Sequence, residues 1–176
     1  MSIEQILAKL PEKSAEQRQK FRTNAARALE TGNAARKAEA QALVTALDAL
    51  EAAEEQAFSD RLAAMSRAEK VIAAFRAHPP TKTEAKAIQA LLDHPGSTSS
   101  ELSVAFGGRG QIWHRWFGDL CKKRQDYLWP AAYVEKRDGY FYSGILADLD
   151  SDGNRFTMKP DVAEAFAALG IKPRSA

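Results

Sequence analysis

The residues best suited to chemistry cluster around Gln111–Leu128. Read as a helix at about 100° per residue, this stretch puts Trp113, Trp116, Phe117, Leu120 and Leu128 on one side. Gln111, Arg115, Gly118 and Lys122 fall opposite, with His114 and Gln125 on one shoulder and Asp119 and Asp126 on the other. A hydrophobic core needs only the first face. The second carries the N–H donors that suit phosphates and base edges of nucleic acid. Arg124 falls on the apolar side with no partner assigned by the pattern.

Other groupings give weaker chemistry. His114 and Cys121 share a flank, but zinc binding or nucleophilic catalysis needs further ligands or an orienting acid, and Phe117 and Gly118 supply none. Asp148-Leu149-Asp150-Ser151-Asp152-Gly153 opens like a calcium loop. The closing glutamate is replaced by Lys159, and the flanks read as strands, so a polar hairpin turn is the better reading. Gly107-Gly108-Arg109-Gly110 lacks the Lys-Ser/Thr of a phosphate loop and follows no strand. It reads as a turn that places Arg109 at a helix N-terminus. Trp113 and Trp116 read as core residues rather than base-stacking ones. The sequence therefore implies no enzyme, no metal and no cofactor.

The surrounding elements must position that helix. His78-Pro79-Pro80 ends a preceding helix, since proline cannot continue it. Thr81-Lys82-Thr83-Glu84 and Thr98-Ser99-Ser100-Glu101 both have capping-box spacing. Each precedes a short amphipathic helix, and the glycines at 107, 108 and 110 close the second. After Trp129-Pro130 the chain turns to aromatic and branched runs, Tyr133-Val134, Tyr140–Leu149 and Arg155–Met158. Arg137-Asp138-Gly139 and Asp150–Asn154 separate them as hairpin turns. Pro160 opens a last helix, Asp161–Leu169, closed by Gly170.

This outline, over residues 81–170, resembles the winged helix-turn-helix domains of bacterial transcriptional regulators. The likeness rests on Thr98–Leu102, on Gln111–Leu128 and on Arg155–Asp161, a strand running into a proline-led helix start. It implies double-stranded DNA binding, with 111–128 as recognition helix in the major groove and the wing near the backbone. Gln111, His114, Arg115 and Lys122 would face the groove. Arg109, Lys123, Lys136 and Arg137 are the candidate phosphate contacts. The acidic turn Asp148–Asn154 does not suit a wing tip lying on phosphates. A protein-interaction adaptor on the same fold is the alternative reading.

Residues 1–78 contain Pro11 and Gly32 as their sole proline and glycine and are rich in good helix formers. The pattern predicts helices over Ser2–Leu10, Glu12–Glu30 and Ala34–Ala77, broken at Thr31-Gly32-Asn33. The stripe Leu43, Leu47, Leu50, Phe58, Leu62, Met65, Ile72, Phe75 does not keep a heptad, which favours a helical hairpin over a long coiled coil. Lys9–Lys37 is mainly basic, and Glu39–Asp60 is acidic with no base. Folding back at Gly32 would set Lys13 near Glu51 and Arg18 near Asp48. This region is the expected self-association device, giving a dimer.

The fold expectation is thus mainly α with a small β-hairpin wing: a helical hairpin or coiled-coil-like region over 1–78, then a winged helix-turn-helix domain over 81–176. Hydrophobic residues at 45% and charged residues at 27% suit a globular chain rather than a disordered one. A net charge of +2 means that any basic site must be local. One cysteine rules out an intramolecular disulfide. With no apolar run long enough for a membrane span and no basic leader before one, the expected location is the cytoplasm.

Overall fold

The computed structural model describes residues 2–150 and 152–174, and of Arg137 the backbone alone. The chain is mainly helical with a small antiparallel sheet, and no helix among the described residues is long and apolar enough to cross a membrane. It divides into two compact units, 1–63 and 64–176.

The first unit holds α1 (Ile3–Ala8), a 3-10 turn (Leu10–Glu12), α2 (Ala15–Thr31) and α3 (Ala34–Ala64). Ser2 with Gln5 and Ser14 with Gln17 form reciprocal capping boxes that start α1 and α2. Leu10, Ala25, Ala40, Leu43 and Leu47 form a small core, bordered by Phe21, Leu29 and Leu50. Gly32 caps α2 in an extended conformation (φ −76°, ψ 160°), and the chain folds back as anticipated. The pairing differs in register. Arg18 meets Glu54 at 2.6 Å, and Arg22 meets Asp48 at 2.7 Å and Glu51 at 2.9 Å. The long arginine stems reach along α3 to acids nearer its C-terminus than a symmetric fold at Gly32 would give.

The helix expected to run to Ala77 breaks at Met65-Ser66. Ser66 accepts from the Glu69 N–H, and Glu69 accepts from the Ser66 N–H at 2.8 Å, so a new helix, α4 (Arg67–Ala77), begins. Its buried side, Val71, Ala74 and Phe75, belongs to the core of the second unit. The boundary between units therefore lies ahead of the prolines at 79–80.

The second unit continues with α5 (Lys82–Asp93), β1 (Ser97–Thr98), α6 (Ser99–Phe106) and α7 (Ile112–Lys122). Both threonine capping boxes form as the sequence implied. Gly107 ends α6 in the left-handed region (φ 91°), where a side chain would be strained. Then come β2 (Ala132–Val134), a 3-10 turn (Glu135–Arg137), β3 (Gly139–Phe141), α8 (Ser143–Leu146), β4 (Ala147–Asp150), β5 (Arg155–Met158) and α9 (Pro160–Ala168). Strands β2 and β3 form a separate hairpin, with Tyr133 opposite Tyr140. The three-stranded sheet has the order β1-β5-β4, all antiparallel, with Thr98 opposite Arg155 and Leu149 opposite Phe156.

The run Tyr140–Leu149, expected as one strand, is thus split by α8. Gly144 lies against Phe141, where an added Cβ would sit 2.5 Å from the ring. One core joins Phe75 of α4, Ile88 and Leu91 of α5, Leu102 of α6, Trp113 and Phe117 of α7, and Phe166 of α9. Phe75 and Phe166 meet edge to face at 4.9 Å.

Candidate nucleic-acid interface

α7 is the element around which the site is built. Trp113, Phe117, Leu120 and Cys121 are fully buried on its inner side. Trp113 stacks on Phe117 at 4.9 Å, and its indole N–H donates to the Ala87 carbonyl at 2.9 Å. Ser103 accepts from the Trp113 backbone N–H at 3.1 Å and itself donates to the Ser99 carbonyl, tying α7 to α6. Trp116 is half-buried against the same core.

The helix ends at Lys122, not at Leu128. From Arg124 onward the chain closes in tighter turns, with the Arg124 N–H donating to the Cys121 carbonyl and the Gln125 N–H to the Lys122 carbonyl. The Arg124 guanidinium is turned back onto this end of the helix. It donates to the Leu120 carbonyl, while the Arg124 backbone N–H donates to the Cys121 carbonyl. It also donates to the His78 carbonyl and to Glu84, and it lies 4.3 Å from the centre of the Phe75 ring. Burial pushes the Glu84 carboxyl up, but hydrogen bonds from Arg124, the Thr81 N–H and Lys123 outweigh it and hold the group down to about 2.

The expected contact residues divide into groups. Gln111, Arg115 and Lys122 are exposed along the outer side of α7, with Asp119 among them. Gln111 occupies the N-cap position without capping the helix. Arg109 is exposed on the loop that leads into α7. Lys123 is exposed, and its ammonium meets the buried Glu84 carboxylate of α5 at 3.1 Å. Lys136 is exposed on the 3-10 turn between β2 and β3, apart from the β4–β5 turn. The Arg137 side chain lies outside the described residues.

His114 is placed differently from the groove-facing position expected of it. Its ring stacks on Phe141 at 5.9 Å and comes within 3.5 Å of the Ser143 hydroxyl. It is half-buried between α7 and the β3–α8 segment, which the helical wheel of 111–128 cannot show. Two cavities flank it. One, of about 230 Å³, is lined by Thr98, Ser99, Gln111, Asn154 and Phe156 among others. The other, of about 290 Å³, lies between Arg115, Gly118 and Asp119 of α7 and Tyr140, Tyr142 and Ser143.

Compared with protein-family models, with curated proteins and with solved structures, the chain matches none. The site must be read from its own chemistry.

Cys121 is buried beneath α7, and burial pushes its thiol far above the ordinary range, so it does not ionise to a nucleophile near neutral pH. Among the described residues no group of three or more His, Cys, Asp and Glu side chains converges to hold a metal ion. In the Asp148–Gly153 turn, Asp150 accepts from the Asp152 N–H and Asp148 lies 3.7 Å from Lys159.

Sequence reasoning missed the hairpin tyrosines. Tyr133 and Tyr140 are 52% and 61% exposed and meet edge to face at 5.4 Å, and Tyr142 lies 6.1 Å from Tyr140. Tyr133 and Tyr140 lie symmetrically about Lys136-Arg137, and a hairpin centred there makes them a cross-strand pair on one face. Tyr133 donates to the Asp138 carboxylate, and that bond holds its hydroxyl above the usual phenol range.

Proposed function

We propose that this chain binds double-stranded DNA through α7, as a cytoplasmic transcriptional regulator of winged-helix type. One observation carries the reading. α7 fills the core with Trp113, Phe117 and Leu120 while its outer side presents Gln111, Arg115 and Lys122 to solvent. The element order, helix, strand, two helices and a β-hairpin with sheet order β1-β5-β4, supports the winged arrangement. In this reading Arg115 and Gln111 meet base edges, and Lys122 and Arg109 meet phosphates. The β2–β3 hairpin with Lys136 takes the backbone-facing role that the acidic β4–β5 turn does not suit. The helices of the first unit bring two copies together, so that two α7 helices address one duplex.

Selection from a random duplex library tests it. A shared site should emerge, and Gln111→Ala should relax one position of it by about 1–3 kcal/mol. A library that never enriches contradicts base recognition.

A protein-interaction adaptor is the second reading, favoured by Val104 and Ile112, which are 73% and 38% exposed beside the α6–α7 turn. Val104→Glu would abolish capture of a protein partner and leave DNA binding alone.

A further inference from the structure

We infer that the tyrosine strip on the β2–β3 hairpin is a stacking platform for unpaired bases, so that the preferred DNA is a duplex carrying a single-stranded extension. This rests on the DNA reading above and narrows its substrate. Two large aromatic rings, Tyr133 and Tyr140, are exposed side by side, and the half-buried Tyr142 continues the row toward α7. Tyr133, Tyr140 and Tyr142 follow one another at 5.4 and 6.1 Å, and the Lys122 ammonium lies 5.5 Å from the centre of the Tyr142 ring. The strip therefore begins at the helix proposed to sit on the duplex.

The hairpin that carries it is anchored rather than loose. Phe141, next in sequence to Tyr140, turns to the other face and packs on His114 at 5.9 Å and on Phe156 at 6.3 Å. The cavity of about 290 Å³ between α7 and this segment is just below the usual range of ligand-pocket volumes, about 300–1,000 Å³. It has Tyr140 and Tyr142 as aromatic walls, Arg115 as donor and Asp119 as acceptor.

The chemistry favours a nucleobase over an apolar peptide. Aromatic faces bind any base by stacking, and the Lys122 ammonium over Tyr142 supplies positive charge where the strip meets the duplex. Of the acids nearby, Asp138 accepts from the Tyr133 hydroxyl, and Glu135 is exposed on the turn. Asp119 faces the cavity, where its carboxylate can accept from the exocyclic amine of an unpaired base.

The test is fluorescence anisotropy of the full chain with labelled random-sequence DNA, as a blunt duplex and as the same duplex with a single-stranded extension. The extended duplex should bind at least about fivefold more tightly. Tyr140→Ala should remove that advantage and leave blunt-duplex affinity unchanged, and Tyr140→Phe should keep it. Tyr140 is largely exposed, so its replacement does not disturb the core. Equal affinity for the two DNAs, or an advantage that survives Tyr140→Ala, overturns this inference while duplex binding stands. Failure to bind either DNA overturns it together with the reading on which it rests.

Discussion

Arg124, just past α7, and Glu84, in the first turn of α5, stand 40 residues apart in sequence and meet at 3.1 Å. Each is 2% exposed. Glu84 also accepts from the Thr81 N–H at 2.9 Å, so one carboxylate both caps α5 and fixes the end of α7. The pair ties the segment after α7 to the start of α5.

Removing one partner leaves a buried charge unpaired, so Glu84→Gln should cost about 3–5 kcal/mol by chemical denaturation at neutral pH. The pH dependence has a definite sign. The folded-state carboxyl is held at about 2 against an ordinary 4.5, so its stabilisation is present above about pH 4.5 and is lost as pH falls toward 2. The wild-type chain should lose stability across that window, and Glu84→Gln should lose less. Parallel acid limbs in the two proteins would show that the pair carries no such linkage.

Lys122 and Lys123 are neighbours with opposite duties. Lys122→Ala should weaken binding to every duplex sequence and lower the salt slope by about one. Lys123→Ala removes a contact to Glu84 and should leave DNA affinity unchanged. Equal losses in the two variants would contradict the orientation of α7.

Gly144 makes room for the Phe141 ring. Gly144→Ala should push the β2–β3 hairpin off α7 and cost about 1–3 kcal/mol, read as a lowered Tm. An unchanged Tm would mean the hairpin is not held through Phe141.

Cys121 should react with a thiol reagent in denaturant and resist it in the native state, because the side chain is buried and its thiol stays protonated. Rapid native labelling would mean that the underside of α7 opens readily.

What could be read from the sequence was what neighbours in sequence decide. The boxes Thr81–Glu84 and Thr98–Glu101 close within one turn, Pro160 opens α9, and the two-faced pattern of 112–122 needs no distant partner. The break at Met65-Ser66 was legible too, since Ser66 and Glu69 have the same box spacing, but the apolar stripe through Met65 and Ile72 masked it. The partners of Arg124 were hidden, because Glu84 and the His78 carbonyl lie far back in the chain. The place of His114 was hidden for a similar reason. Only the path of 132–146 brings Phe141 and Ser143 onto that shoulder of the helix.

The most direct measurement is retention of a random pool of labelled duplex DNA at low and at physiological salt, for the wild-type chain and Lys122→Ala. The account predicts retention with a steep salt dependence in the wild type, and weaker retention with a shallower slope in the variant. No retention at low salt, or a variant indistinguishable from wild type, would contradict DNA recognition by α7.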